Sequence, residues 1–322
     1  MTEHVDATTV RSALALASRA PSVHNSQPWL WRYDSRTVHL RADRRRWLRA
    51  TDAPGRDMLL SCGTALHHAR IALAAAGVAA TVRRMPDPAD PDHLATMVLH
   101  ARPASDADMR AASMIARRRT DRRRYTDWPV PPAFLDELVE RAAAEGVVAR
   151  ALDGAGGRAA VVEAIRVAAA LRSEVDQYLT ETAVWTGRLG GDDGIRATSL
   201  LADSTTGDGL ARRFPAGTIV QEDGTDGAAL LVLGTASDDA LSQLRAGEAL
   251  SAMLLHATDL GLATCPLTEP LEVETTYRAI RDGLLDGALM PQVILRVGWA
   301  PADPLPLTPR RPVEDMIERI PR

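Results

Sequence analysis

The sequence contains no lysine, and every basic side chain other than histidine is an arginine. The chain therefore lacks the side chain that forms the Schiff base with pyridoxal phosphate. It also lacks the lysine of a Walker A loop, and the motif G-x-x-x-x-G-K-[ST] is absent. Pyridoxal-phosphate enzymes and P-loop nucleotidases are excluded on this ground.

Cysteine is nearly absent as well, since only Cys62 and Cys265 occur, far apart in the chain. Two distant cysteines form neither a disulfide framework nor a C-x-x-C motif, which favours a reducing, cytoplasmic location. No apolar run approaches eighteen residues, so we expect no membrane span. The opening MTEHVDATTVRSAL has an early acidic residue and no apolar core, so we expect no secretion signal.

Positive charge is concentrated in one place. The chain has a formal net charge of −4, yet residues 117–124 read RRRTDRRR. Nucleic-acid binding needs a broad basic surface, usually with aromatic platforms, and only 4% of this chain is aromatic. We therefore expect no nucleic-acid partner. Two interpretations remain: a solvated charged face, or a small phosphate site with one or two inward arginines and Arg123 towards solvent.

Two other candidate sites are weak. The histidines lack H-E-x-x-H or other ligand spacing, so we expect no metal. The stretch DGAGGRAA, residues 153–160, follows a strand and opens a helix as a dinucleotide loop would. Its acidic partner Glu174 falls within the same helix rather than after a second strand. A plain helix-entry turn is the better interpretation.

Hydrophobic periodicity and turn residues predict alternating helices and strands. We expect helices near 8–19, 56–76, 105–116, 132–146, 157–182, 238–260 and 272–284, and strands near 29–34, 37–43, 78–85, 93–101, 147–152, 228–235 and 291–300. The helix at 238–260 is expected to be capped by Ser237. Residues 186–227 have little periodicity, which is typical of a functional flap or of disorder.

A faint internal repeat links two helices. The stretches ALHHARIALAAAGVA (65–79) and ALSAMLLHATDLGLA (249–263) share Ala-Leu, the terminating glycine and the alanine two residues beyond it, without gaps. Each is followed by a hydrophobic strand. The repeat suggests two related halves.

The loop APSVHNSQP, residues 20–28 and here called the APS loop, places Ser22, His24, Asn25, Ser26 and Gln27 between two prolines. Proline and asparagine fix turns, so one interpretation is a tight loop that enters a strand. The other is a rigid loop that offers donors and acceptors to the edge of a planar polar ring.

These motifs together resemble the FMN-dependent nitroreductases. RRTDRRRYTDWPVPPAFLDELVERA (118–142) resembles the family's phosphate-binding start, and the APS loop resembles its loop beside the flavin ring. GEALSAMLLHATDLGLATCPLT (247–268) resembles its later helix and ring-side turn, and LTPRRPVEDMI (307–317) its phosphate-binding tail.

The motif order differs from that of ordinary members. The APS loop comes first, and residues 117–124, here called the arginine motif, follow it. This resembles the fused, double-length mycobacterial Acg branch. The resemblance implies an α+β, nitroreductase-like fold with two fused halves that form an internal pseudo-dimer, each a mostly antiparallel sheet flanked by helices. We expect an N-terminal half at 1–104 and a C-terminal half at 105–322, with 186–227 as a loop or lid. A monomer is expected, and a homodimer remains open.

The resemblance also implies one FMN site per chain, built from both halves. The phosphate and ribityl chain would be bound by Arg118, Arg119 (through its backbone), Thr120, Arg122, Arg310 and Arg311. The ring would be contacted by Pro21, Ser22, Val23 and Asn25 from one half and by Pro266, Leu267 and Thr268 from the other.

The implied reaction is hydride transfer from NAD(P)H through flavin N5 to a nitro or quinone-type acceptor. The flavin carries that chemistry, so no catalytic side chain is named. The alternative is a protein that holds FMN beneath a lid without turnover.

Overall fold

The computed structural model describes residues 5–152, 154–188, 190–202, 210, 212, 214, 216–220, 224–303 and 305–320. The helices are α1 Ala7–Ala17, α2 Arg56–Ala75, α3 Asp106–Arg117, α4 Pro132–Ala144, α5 Gly154–Arg172, α6 Asp176–Trp185, α7 Ala240–Asp259 and α8 Glu274–Leu284. The strands are β1 Trp29–Tyr33, β2 Thr37–Ala42, β3 Val78–Arg84, β4 His93–Ala101, β5 Val148–Ala151, β6 Thr186–Arg188, β7 Ile195–Arg196, β8 Ala229–Thr235, β9 Ala263–Leu267, β10 Met290–Gly298 and β11 Ile317–Arg319.

Two sheets organise these elements in the same way. The first has the order β11-β1-β2-β4-β3 and the second the order β5-β8-β10-β9. In each, two strands precede a long helix and two follow it, and these four strands pair antiparallel. The C-terminal strand β11 adds to the first sheet, parallel to β1. The short strands β6 and β7 form a separate parallel pair.

The long helices α2 and α7 pack against each other through two glycines. A Cβ atom at Gly63 would lie 2.0 Å from the Leu244 carbonyl oxygen, and one at Gly247 would lie 2.0 Å from the Leu60 carbonyl oxygen. The contact is thus reciprocal, as at a two-fold interface. Gly63 and Gly247 are also equivalent positions in the sequence repeat, when it is aligned without gaps so that residue 65 matches residue 249.

Three large buried clusters lie in the described part of the chain, beside a small one of Ile195, Leu200 and Phe214. The first lies between α1, α2 and the first sheet and includes Trp29 and Trp31. The second lies between α4, α7 and the second sheet, and the third lies on that sheet's other side against α5 and α8. Met114 and Ile115 of α3 belong to the first cluster. The expected boundary between the two halves, at residue 104, therefore assigns α3 to the C-terminal half although α3 packs with the core of the first sheet.

Most predicted elements are confirmed to within a few residues, but strands β6, β7 and β9 were not predicted and three further features differ. The helix expected at 157–182 is two helices, α5 and α6, because the chain turns after Arg172. The Arg172 guanidinium donates to the carbonyl oxygens of Ala50, Thr51 and Glu272 at 2.6–3.0 Å. The cap of α7 is Asp239, whose carboxylate accepts from the Ser242 backbone N–H, and not Ser237. Strand β11 was not predicted.

None of the helices in the described part of the chain combines the length and apolar character needed to cross a membrane. Nor does that part contain a group of three or more His, Cys, Asp or Glu side chains placed to hold a metal ion.

Candidate functional site

Two adjoining cavities form the candidate site. The first, here called the apolar cavity, has about 790 Å³ of empty space and lies between the APS loop, α2 and the end of β9. The second, here called the arginine cavity, has about 560 Å³ and lies between the APS loop, the arginine motif and the C-terminal tail. Both are lined by Pro21, Ser22, Thr120 and Arg122. The two cavities therefore adjoin each other at these four residues.

The APS loop is held in a conformation that few sequences adopt. His24, Asn25 and Gln27 have φ angles of +48°, +53° and +51°, in the left-handed region that disfavours side chains. Hydrogen bonds fix the loop: Ser22 Oγ accepts from the Gln27 backbone N–H at 2.9 Å, and Thr64 Oγ1 donates to the Pro21 carbonyl at 2.8 Å. Strain of this kind concentrates at functional sites, where surrounding structure maintains it.

The C-terminal tail is fastened to the APS loop. The Asn25 side chain donates to the Pro309 carbonyl at 3.1 Å and accepts from Arg310 Nη1 at 3.2 Å. The Arg311 backbone N–H donates to Gln27 Oε1 at 2.9 Å, and its guanidinium donates to the Gln27 carbonyl at 3.1 Å. Arg311 lines neither cavity, so its contacts are with the loop.

Arg118 is a buried cation without a carboxylate partner in the described chain. The residue is 5% exposed, and within the described residues its Nε has no hydrogen-bond partner and its guanidinium donates only to Thr120 Oγ1, at 3.4 Å. Burial, and then the nearby Arg119 and Arg19, lowers the pKa of Arg118 to about 10. A buried charge is costly unless an opposite charge accompanies it, so this position suits an anion.

Arg310 adds a second uncompensated charge to the same cavity. Within the described residues its guanidinium donates to neutral oxygens only, among them the carbonyls of Ser18 and Arg19 at 3.1 and 2.7 Å. Burial lowers the pKa of Arg310 well below its ordinary value, and the nearby Arg118 adds to the effect. Arg19 was not predicted as part of this cluster.

The other arginines of the motif have separate contacts. Arg122 lines both cavities and donates to the Ser199 carbonyl at 3.4 Å. Arg119 lines the arginine cavity and turns back to donate to the last carbonyls of α3, such as that of Ala116 at 2.7 Å. Arg123 was expected at solvent, and that prediction is wrong. Its side chain is 13% exposed and pairs with Asp121 at 2.7 Å.

The end of β9 forms the opposite wall of the apolar cavity. Pro266, Leu267 and Thr268 line it, together with the apolar side chains of Leu60 and Leu250. Thr120 lies at this wall because it forms a parallel β-bridge with Thr264, near the start of β9. Every predicted site residue except Arg311 lines one cavity or the other.

Residues from segment 186–227 also line the cavities, and they were not predicted as site residues. Arg212 and Phe214 line the apolar cavity, and Ile195, Arg196 and Ser199 line the arginine cavity. The Asn25 side chain donates to the Gly194 carbonyl at 3.0 Å, and the Gln27 side chain donates to the Asp192 carbonyl at 2.9 Å. No periodicity marks these residues in the sequence. Residues 189, 203–209, 211, 213, 215 and 221–223 of this predicted lid lie outside the described residues.

Comparisons with known proteins place the chain in a family. No family model matches it. The Mycobacterium tuberculosis H37Rv protein named "Putative NAD(P)H nitroreductase Rv3131" is 44% identical over 325 residues, which cover 98% of this chain and 93% of that protein. "Putative NAD(P)H nitroreductase acg" of the same strain is 39% identical over 321 residues, covering 95% and 94%. The chain therefore belongs to the nitroreductase family. Within it, the similarity to the mycobacterial Acg-type proteins runs along the whole chain.

Solved structures of the family are more distant. The FMN-dependent nitroreductase NfnB from Mycobacterium smegmatis, in complex with NADPH, is 18% identical with a TM-score of 0.46. That alignment covers 67% of this chain and 100% of NfnB. A nitroreductase with bound FMN from Bacteroides fragilis is 14% identical with a TM-score of 0.40, covering 61% and 91%.

Proposed function

We propose that this chain is an FMN-binding, NAD(P)H-dependent oxidoreductase with one site per chain. The observation that carries the proposal is Arg118, a buried guanidinium whose donors are not all used within the described residues. It lines the arginine cavity, which adjoins the apolar cavity. FMN has the matching shape and polarity, with a phosphate at one end and a planar ring system at the other. The names of the relatives support the nicotinamide donor.

The residues fit this ligand in three groups. Arg118, Arg122 and Arg310 would hold the phosphate, because guanidinium groups form charge-assisted hydrogen bonds with phosphate oxygens. Ser22 and Thr120 line both cavities and would face the ribityl hydroxyls between the two ends. Pro21, Val23, Pro266, Leu267 and Thr268 would enclose the ring. Bound FMN would supply two-electron chemistry, taking hydride from NAD(P)H at N5 and reducing a nitro or quinone-type acceptor.

The single site would be shared by two fused halves that form a pseudo-dimer. The matching strand orders and the reciprocal contact of Gly63 and Gly247 support an internal duplication. The APS loop comes from the first half, whereas the arginine motif and β9 come from the second. Each half supplies one part that the other lacks.

The second candidate function is an FMN holder without turnover. Its support is the described part of segment 186–227, which lines both cavities and bonds to Asn25 and Gln27. A segment fixed over the ring face would exclude nicotinamide while it protected the flavin.

FMN retention tests the site. Each lost arginine–phosphate contact should cost roughly 1.5–3 kcal/mol, so the Arg118→Ala, Arg310→Ala double variant should purify colourless at micromolar protein. Circular dichroism of the double variant checks that it remains folded, since Arg310 also donates to the Asn25 side chain of the APS loop. Arg117→Ala, on the exposed neighbouring residue, should keep its flavin. A double variant that purifies with full FMN would contradict the assignment.

Anaerobic reduction separates the two functions. Rapid loss of flavin absorbance after NADPH or NADH would support the oxidoreductase. Flavin that dithionite bleaches but neither nicotinamide does would support the holder. A protein that takes up no FMN would exclude both.

A further inference from the structure

His24 is a cavity residue that the proposed FMN contacts leave without a role. It stands at the left-handed tip of the APS loop with φ +48°, is 5% exposed, and lines the apolar cavity. Residues other than glycine uncommonly adopt this conformation, so the surrounding structure holds the imidazole in place.

The Arg212 guanidinium fixes the tautomer of this imidazole. Arg212 Nη1 lies 3.3 Å from His24 Nε2. A guanidinium only donates hydrogen bonds, so Nε2 must accept, and a neutral ring then carries its proton on Nδ1. Burial, and then Arg212 and Arg122, lowers the pKa of His24 well below its ordinary value, so the ring is neutral at neutral pH.

Arg212 is itself held by two buried carboxylates. Its Nη2 lies 2.5 Å from Glu272 and its Nε lies 3.2 Å from Glu269. The Phe214 ring meets the His24 ring edge-on, with centroids 5.9 Å apart and planes at 80°. These contacts restrain the imidazole from one side and leave its other nitrogen, Nδ1, without a hydrogen bond in the part of the chain that the structure describes.

We propose that His24 is a ligand-binding residue whose Nδ1–H donates to a carbonyl or nitro oxygen of a planar ring in the apolar cavity, with Arg212 as the positioning residue that selects this tautomer. A neutral donor suits an uncharged acceptor oxygen. The oxygen belongs either to the flavin ring or to the electron acceptor, so this inference rests on the proposed function.

The tautomer can be measured on the whole chain without any turnover. Nitrogen-15 correlation spectra of histidine-labelled protein distinguish protonated from bare ring nitrogens, and the signal missing in His24→Asn identifies His24. We expect a protonated Nδ1 and a bare Nε2 at neutral pH. Arg212→Met, which removes the donor and keeps an apolar stem, should shift the population towards Nε2–H. A wild-type His24 with protonated Nε2 would overturn the proposal.

Two variants test the ligand. His24→Asn keeps an N–H donor near the Nδ1 position and tolerates positive φ, whereas His24→Ala removes the donor. We expect His24→Ala to weaken one interaction by roughly three- to tenfold and His24→Asn to retain most of it. A raised FMN dissociation constant would identify a flavin oxygen. An unchanged FMN constant with a raised KM for the acceptor would identify the acceptor's oxygen.

The results that would contradict the role of His24 differ from those that would contradict the proposed function. FMN binding and acceptor KM that are both unchanged in His24→Ala would overturn this inference alone. A wild-type chain that takes up no FMN would contradict the proposed function and, with it, the ligand assigned to His24. Circular dichroism of both variants checks that the fold is intact.

Discussion

At the scale of single residues, burial and partners give identical side chains different roles. Arg118 is buried with unused donors, Arg119 turns back onto a helix end, and Arg123 pairs with Asp121. The arginine motif is therefore neither a uniform solvated face nor a uniform binding site. Its composition identified the region, and the contacts of each guanidinium separate the site residues from the others.

Asp52 leads to a prediction about pH. It is 3% exposed, and burial and the neighbouring Asp57 raise its pKa to about 8. The folded chain therefore binds a proton that the unfolded chain releases above its ordinary pKa of 3.8. The raised pKa therefore costs no stability at low pH, and it lowers the free energy of unfolding increasingly as pH rises towards 8. We expect Asp52→Asn to gain stability relative to wild type between pH 5 and 8.

Urea denaturation across that pH range measures the difference in unfolding free energy. Asp52 Oδ2 accepts from the Met58 backbone N–H at 2.8 Å, and the amide oxygen introduced by Asp52→Asn would still accept from it. The exposed change Asp136→Asn serves as the control for replacing an aspartate by asparagine. A difference for Asp52→Asn that stays constant from pH 5 to 8 would show that Asp52 is ionised in the folded chain.

At the scale of elements, the sequence patterns predicted the helices and strands that depend on interactions between residues near each other in the chain. The hairpin of β1 and β2, the helix α2 and the strands β3 and β4 begin and end close to their predicted residues, because turn residues and periodicity mark them. The break between α5 and α6 was missed because it depends on Arg172 reaching carbonyls of residues 50 and 51, which are distant in the chain. Strand β11 was missed because three residues carry little periodicity.

The close packing of α2 against α7 predicts that one added methyl group at Gly63 lowers the stability of the fold. In Gly63→Ala the new Cβ would meet the backbone oxygen of Leu244 at 2.0 Å, so the two helices must separate. Overpacking of this kind should lower the unfolding free energy by about 1–3 kcal/mol or more. Urea denaturation measures the change.

Gly156→Ala provides a matched control for that variant. Gly156 also lies in a helix, α5, and a Cβ there would have no neighbour within 4 Å. The exchange of glycine for alanine should then be neutral or stabilise by about 0.5–1 kcal/mol. Equal effects of the two substitutions would mean that α2 and α7 are not in close contact.

At the scale of the whole molecule, the site depends on how distant segments assemble. The APS loop, the arginine motif, β9 and the tail meet although most of the chain separates them. A second, symmetry-related site would need a second APS loop and a second arginine motif, and the sequence contains neither.

We therefore expect one FMN per 34.6 kDa chain, in a particle of that mass. Flavin absorbance after release from denatured protein gives the stoichiometry, and sedimentation equilibrium gives the mass. Two flavins per chain would contradict the asymmetric assembly. One flavin for every two chains would mean that the site is completed by a second copy.

The sequence by itself determined which chemistries are excluded and where most elements lie. These properties follow from residue type, spacing and turn preference, which act over a few residues. Only the tertiary structure decided which arginines of the described chain lack a counter-charge, that the two cavities adjoin, and that Arg212 lies against His24. Burial and pairing depend on contacts between residues far apart in the chain, and no local pattern encodes those contacts.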